Sequence, residues 1–223
     1  MAEANLAKAA LAYASLGWPV FPVRPLQKIP QIKSWPEKAT TDPEQIREWW
    51  KRFPKANIGI VTGRRSGLVV VDIDPKNGGD YHDFRSEFGN FDTPIACTPS
   101  GGLHLYFTLP IHTELQSRHD GCLGPGVDFQ AEGAYVVAPP SQIQLAEGRR
   151  DYSWDQSPLF LPHEGGIPTA HLPSALLLKL KNEITSENKT PLLPERIVKG
   201  GRNVFLARSV EDVKEKIHAR DTL

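Results

Sequence analysis

The apolar positions of the chain follow two periods. Leu6, Ala9, Ala10, Tyr13 and Leu16 recur at helical spacing and Gly17 supplies a stop, which predicts an amphipathic helix over residues 3–16. Trp18–Val23 reads as a strand. The stretch Arg24–Ala39 has three prolines and no period, which predicts a long loop of the kind that often carries function. Thr41 to Glu44 has capping-box spacing with Pro43 in the first turn, so a helix should start there and end before Pro54. Asn57–Val61, the turn Thr62–Gly67 and the apolar run Leu68–Ile73 predict two strands, the second buried. Tyr81–Phe88 reads as a helix. Ile95–Thr98, Leu103–Leu109, Val127–Gln130 and Tyr135–Ala138 read as strands between Gly/Pro turns. Leu172–Ile184 reads as a helix, and Glu195–Ile217 as a weaker one around Gly200-Gly201. The mixture gives an α+β class. The loop His163–Thr169 marks the boundary between a domain at 1–165 and a linker with a short helical segment at 166–223.

Composition narrows the class. Eighteen glycines and 20 prolines in 223 residues exceed the usual share, so the fold should be turn-rich rather than a helical bundle. No apolar run reaches the roughly 18 residues of a membrane span, and Lys8 and Pro19 interrupt any signal-like start, so a cytoplasmic protein with no membrane partner is expected. Two cysteines make neither a disulfide framework nor a four-sulfur zinc site. The net charge of zero hides an asymmetry: residues 1–65 carry +6, residues 66–165 carry −9 and residues 166–223 carry +3. Carboxylates flanked by basic stretches suit a site that holds cations and phosphates together.

Three constellations carry candidate chemistry. Asp72 and Asp74 end a strand two residues apart, so alternation puts both carboxylates on one side, where they can share a cation. The bland alternative is a strand end whose aspartates bond turn amides before Pro75. Ser100-Gly101-Gly102 can bring backbone amides to an anion, and the strand after it puts His104 and Tyr106 on one face. Asp128 lies inside a short apolar strand, where an unpaired charge is costly and needs a partner. Asp72, Asp74 and Asp128 together would make a three-carboxylate site able to hold two magnesium ions.

Four ordered runs also resemble a known family. Lys28-Ile29-Pro30 with Trp35, Asn57 to Asp74, Ser100 to Phe107 and Gly124 to Ser141 are similar in order and spacing to the N-terminal prim-pol domain of bifunctional DNA primase/polymerases, in the archaeo-eukaryotic primase superfamily. The likeness covers about residues 5–160. It implies a catalytic core in which an N-terminal αβ module and a sheet related to the RNA-recognition fold form a central cleft. Asp72, Asp74 and Asp128 match the family's metal ligands, for two Mg²⁺ or Mn²⁺ ions. Ser100, Gly101 and His104 match its nucleotide-binding positions, and Lys28, Thr62 and Gly63 fall in motifs lining the same cleft. Cys122 and Gln130 stand where relatives often have a basic residue.

The activity implied is that of a DNA-directed nucleotidyltransferase: template-dependent DNA polymerisation, with priming as a further activity, in replication of a plasmid, phage or other mobile element. Its partners would be single-stranded DNA template and primer, deoxynucleotides with ribonucleotides as an alternative, and a helicase in trans, since no P-loop motor motif occurs. Zinc is not expected, because Cys97, His112, His119 and Cys122 fit no standard spacing. Trp49 and Trp50 read as a helix with one tryptophan in the core. Two rival readings are a metal-dependent glycosyltransferase, which also uses an Asp-x-Asp strand end, and a non-catalytic replication or defence adaptor that binds nucleotide or DNA.

Overall fold

A mostly apolar run is buried on both faces when it becomes a strand, and Leu68–Ile73, apolar except for Asp72, forms an interior strand, β3, of a five-stranded antiparallel sheet. The computed structural model describes residues 2–158 and 166–187. Before β3 come α1 (Ala2–Ser15), β1 (Val20–Val23), the single-turn α2 (Trp35–Lys38), α3 (Pro43–Arg52) and β2 (Asn57–Val61). After it come α4 (Tyr81–Phe88), β4 (Ile95–Cys97), β5 (Leu103–Thr108), β6 (Val127–Gln130), β7 (Tyr135–Ala138), β8 (Gln142–Leu145), β9 (Gly148–Asp151), β10 (Ser153–Gln156) and α5 (Ser174–Glu187). The large sheet has the order β10-β4-β5-β3-β6, a second sheet has β1-β2-β7, and β8 and β9 form a hairpin. The class is α+β, as the patterning implies.

The two faces of the large sheet feed different cores. Val69, Val71, Ile73, Leu105, Phe107 and Phe129 pack on one side with Phe84 of α4 and Leu176 and Leu180 of α5. Val70, Tyr106 and Ala96 pack on the other with Ala10 and Tyr13 of α1, Ile46 and Trp50 of α3, and Ile58, Ile60 and Val136 of the smaller sheet. Trp18 stacks between Tyr13 and Tyr106, with ring centroids 6.0 and 5.8 Å away. The Tyr13 hydroxyl donates to the Pro139 carbonyl at 2.6 Å, tying α1 to the end of β7.

Several local expectations need revision. The α3 cap is Asp42 rather than Thr41: its carboxylate accepts from the Glu44 amide at 3.0 Å, which satisfies an amide of the first turn directly. Trp50 is the core tryptophan, and its indole N–H donates to the Ala56 carbonyl at 3.0 Å. The loop Arg24–Ala39 contains the turn of helix α2. Strands β8, β9 and β10 were not expected; β9 is Gly-Arg-Arg-Asp, exposed and without apolar alternation, so its pairing with β8 leaves no hydrophobic trace.

Residues Met1 to Asn188 form one compact unit. Leu172, Leu176 and Leu180 are core residues, and the Leu172 amide donates to the Thr108 carbonyl at 3.0 Å. Residues 189–223, with the helix expected around Gly200-Gly201, lie outside the described residues. Because Leu176 is fully buried, Leu176→Ala should cost about 2–5 kcal/mol through lost burial and a cavity. Urea unfolding checks this, and an unchanged midpoint would show that α5 does not contribute to the core.

Candidate active site

Strand pairing assembles the site. In register, Asp72 of β3 lies opposite His104 of β5 on one side and Asp128 of β6 on the other. Paired residues in a sheet share a face, so His104, Asp72 and Asp128 form one row across three strands. One step along the same face, Tyr106, Val70 and Gln130 form the next row. The apolar packing of that face therefore ends where the charged row begins.

Burial and charge then shape each group. His104 is only 4% exposed, its Nε2 lies 3.6 Å from Asp72 Oδ1, and its buried Nδ1 has no hydrogen-bond partner among the described residues. Burial alone would raise the Asp72 carboxyl, but the adjacent His104 imidazole and the charges of Lys28 and His119 more than offset it, leaving its pKa below the usual value. Asp72 therefore stays ionised at neutral pH. Asp128 is met by His119, whose Nδ1 is 3.1 Å from Asp128 Oδ2. That histidine is delivered by an extra bridge in which the Arg118 and Phe129 amides and carbonyls exchange two bonds of 2.8 Å. Sequence reasoning weighed His119 as a zinc ligand and missed its place beside Asp128; its closeness in sequence to Asp128 across a turn-rich loop was the available signal.

A cavity of about 190 Å³ opens on the His104 and Asp72 part of this row. It is lined by Asp72, His104 and Gln130 of the large sheet, β7 of the smaller one, Lys28 and Tyr152. Lys28 thus shares a cavity with Asp72. Its loop is held by the Tyr135 hydroxyl, which donates to the Lys28 carbonyl, and by buried Asn57, whose amide donates to the carbonyls of Gln27 at 3.1 Å and Gln142 at 2.7 Å. Trp35 packs behind this loop, its ring 4.7 Å from that of Tyr135 and 4.9 Å from that of Phe21. Burial raises the Tyr152 hydroxyl far above its ordinary pKa, and the charge on Asp72 adds to the shift.

Other expected residues take different positions. Asp74 caps the 3₁₀ turn Pro75–Asn77, accepting from the Lys76 amide and from Asn77 Nδ2, each at 3.0 Å. Thr62 and Gly63 do not line the cavity. The buried Thr62 hydroxyl donates to the Ala131 carbonyl at 2.6 Å, and Gly63 (φ 93°) lies so close to Glu132 that a Cβ would come within 2.7 Å of its Cα. This turn fastens β2 to the loop after β6. Ser100 and Gly101 line a different cavity from His104. The amides of Gly101 and Gly102 donate to the Thr98 carbonyl and hydroxyl at 3.0 Å, so neither glycine amide is left for an anion.

For a cation, Asp72 and Asp128 fit: both are acidic oxygen donors on one sheet face, and the depressed pKa keeps Asp72 charged. Asp74 is the third carboxylate of the expected set, with both oxygens in local bonds. Among the described residues, the group of three donors within 4.8 Å of one another is instead Asp80, His82 and Asp83, exposed at the start of α4, where Asp80 also caps the helix.

A family model described as Prim-Pol, bifunctional DNA primase/polymerase, N-terminal, matches residues 10–175. No curated protein matches. No helix among the described residues is long and apolar enough to cross a membrane.

Gly102 has a steric role that can be tested: a Cβ there would lie 2.3 Å from the Ile73 carbonyl oxygen. Gly102→Ala should therefore push the β4–β5 turn away from the end of β3 and destabilise the protein by about 1–3 kcal/mol. Thermal or urea unfolding measures this, and a wild-type midpoint would refute the close approach.

Proposed function

Since the chain belongs to the Prim-Pol family of bifunctional DNA primase/polymerase N-terminal domains, whose general activity is nucleotidyl transfer, we propose that it is a template-dependent DNA polymerase with priming as a further activity. The observation that carries this reading is the in-register row His104–Asp72–Asp128, whose first two members line a cavity together with Lys28. Membership in the family leaves the glycosyltransferase alternative without support. An adaptor would have no use for two carboxylates in neighbouring strands, each met by a histidine, because such groups are costly to keep together.

Asp72 and Asp128 would hold divalent cations, Mg²⁺ or Mn²⁺, and Asp74 would join them as a third carboxylate only by exchanging its bonds to the Lys76 amide and Asn77. When bound, such ions activate the primer 3′-hydroxyl and neutralise the leaving pyrophosphate. The protein's own groups orient the reactants. The His104 imidazole sits beside Asp72 on one side and lines the cavity in which a nucleotide phosphate would bind. The Lys28 ammonium faces the same cavity and complements phosphate charge. Asn57 and the Tyr135 hydroxyl keep the Lys28 loop in place, so the cation need not be ordered at each turnover. Single-stranded template, primer and deoxynucleotides, with ribonucleotides as an alternative, are the substrates of this reading, and a mobile element with a helicase acting in trans is its setting.

Primer extension with labelled deoxynucleotides, with and without Mg²⁺ or Mn²⁺, tests this function. Asp72→Asn and Asp128→Asn should each lower incorporation by about a hundredfold or more while the fold is retained. Extension by Asp72→Asn at the wild-type rate would show the assignment to be wrong. His104→Ala should weaken nucleotide binding by about 1.5–3 kcal/mol, the worth of one charge-assisted bond, with DNA binding little changed. Equal nucleotide affinities in a titration of mutant and parent would refute that role.

A further inference from the structure

The loop that brings Lys28 to the cavity carries further side chains that the chemistry described above leaves unused. Val23 bridges to Pro30, and on either side of that bridge the Arg24 amide donates to the Ile29 carbonyl at 2.8 Å and the Gln31 amide to the Pro22 carbonyl at 2.9 Å. The chain thus folds back on β1, and this register sets Arg24 opposite Ile29. Most carbonyls of the turn are held: Arg24 by the Gln27 amide at 3.2 Å, Leu26 by the Gln144 amide at 3.1 Å, Gln27 by Asn57, and Lys28 by the Tyr135 hydroxyl. Farther along, the Arg65 guanidinium donates to the Pro36 and Ala39 carbonyls. Leu26 and Ser34 hold positive φ angles of 61° and 54°, which residues with side chains rarely adopt, so the fold imposes one shape on this segment.

The side chains on this fixed backbone are cationic and solvent-facing. Arg24, Lys28, Lys33 and Lys38 are all exposed, and Glu37 is the one carboxylate in residues 24–39. None of the four cations is ion-paired among the described residues. Ile29 is 51% exposed, one of three large apolar side chains so placed among the described residues, and its neighbour Lys28 lines the cavity of Asp72 and His104. Unpaired cations on one segment repel one another, and an exposed isoleucine forgoes burial. A ligand that is anionic along its length and also presents flat apolar faces relieves both. Single-stranded nucleic acid has that chemistry, whereas a duplex keeps its base faces stacked inside. A templating strand must also end at the carboxylates, and Lys28 marks where this segment meets them.

We infer that residues 24–38 form a ledge along which single-stranded template reaches the catalytic cavity, with Arg24, Lys33 and Lys38 meeting its phosphates and Ile29 meeting the face of an unpaired base. This rests on the polymerase reading and gives its template a defined surface. The two contacts differ in kind. Phosphate contacts hold any sequence and weaken with salt, while the apolar contact requires an unstacked base and does not depend on salt. Because the backbone of the ledge is already bonded in place, little ordering is left to oppose binding.

The experiment compares the parent with an Arg24→Ala/Lys33→Ala/Lys38→Ala variant, a charge-conserving Arg24→Lys/Lys33→Arg/Lys38→Arg variant and Ile29→Ala, with thermal unfolding as the control for folding. Fluorescence anisotropy with a labelled single-stranded oligodeoxynucleotide of mixed sequence should detect binding to the parent and a loss of about tenfold or more in the alanine triple variant. The slope of log affinity against log salt should flatten by about 2 in that variant, since each lost single-strand phosphate contact is worth roughly 0.7. The charge-conserving variant should keep both affinity and slope. Ile29→Ala should weaken binding by about threefold or more with the slope unchanged, as an apolar contact does. A blunt duplex of the same length should bind the parent more weakly than the single strand. In primer extension at saturating template, the deoxynucleotide KM should be the same in all four proteins. No single-strand binding by the parent, or equal affinity and slope in the parent and the alanine triple variant, overturns the ledge. A duplex held as tightly as the single strand also overturns it, as does a raised deoxynucleotide KM with unaltered single-strand affinity, since the cations would then serve the nucleotide. A chain that binds single strands through these residues yet extends no primer would keep the single-strand site and refute the polymerase reading.

Discussion

The antiparallel register of β3 with its two neighbours is the constraint on which the rest of the structure depends. Asp72 opposite His104 and Asp128 is one consequence of that register, and Val70 opposite Tyr106 and Gln130 is another. A slip of one residue would turn every side chain of β3 to the other face. Asp72 would enter the cluster of Phe107, Phe129 and Leu176, and Val71 would face the cavity. The register is defended by both cores at once, since Val69, Val71 and Ile73 are committed to one and Leu68 and Val70 to the other. The energy of apolar burial therefore fixes the positions of the polar groups, which could not hold themselves together.

The same economy runs through the surroundings of the row. Asn57, buried in β2, bonds both the loop that carries Lys28 and the start of the hairpin that carries Arg149 and Arg150. The smaller sheet thus ties the Lys28 loop to the β8–β9 hairpin through one amide side chain. Thr62 and Gly63 do comparable work at the opposite end of β2, where they join it to the loop following β6.

The legible parts of the sequence were those with local causes. Strand alternation placed Asp72 and His104 on the polar side of apolar runs, and an acidic residue inside Val127–Gln130 was a sound sign that Asp128 needs a partner. Which partner it finds depends on register and on a loop bridge, and neither has a local signature: His119 reaches Asp128 only because Arg118 pairs with Phe129. Asp74 illustrates a different limit. An aspartate before proline reads equally well as a metal ligand or as a cap, and here its oxygens bond Lys76 and Asn77. The Ser100-Gly101-Gly102 turn looked open to anions because amide donors are visible in a sequence and their acceptor, Thr98, is not. Strand β9 escaped notice for lack of any apolar periodicity, although its arginines were plain to see.

The central claim is that the neighbouring carboxylates Asp72 and Asp128, rather than the exposed group at Asp80, His82 and Asp83, hold the divalent cation. Calorimetric titration of Mn²⁺ into the parent and into Asp72→Asn, Asp128→Asn and Asp80→Asn variants tests it directly, without dependence on turnover. The account predicts a loss of about tenfold or more in affinity for each of the first two and no change for the third. Binding that survives Asp72→Asn and Asp128→Asn but disappears with Asp80→Asn would contradict it.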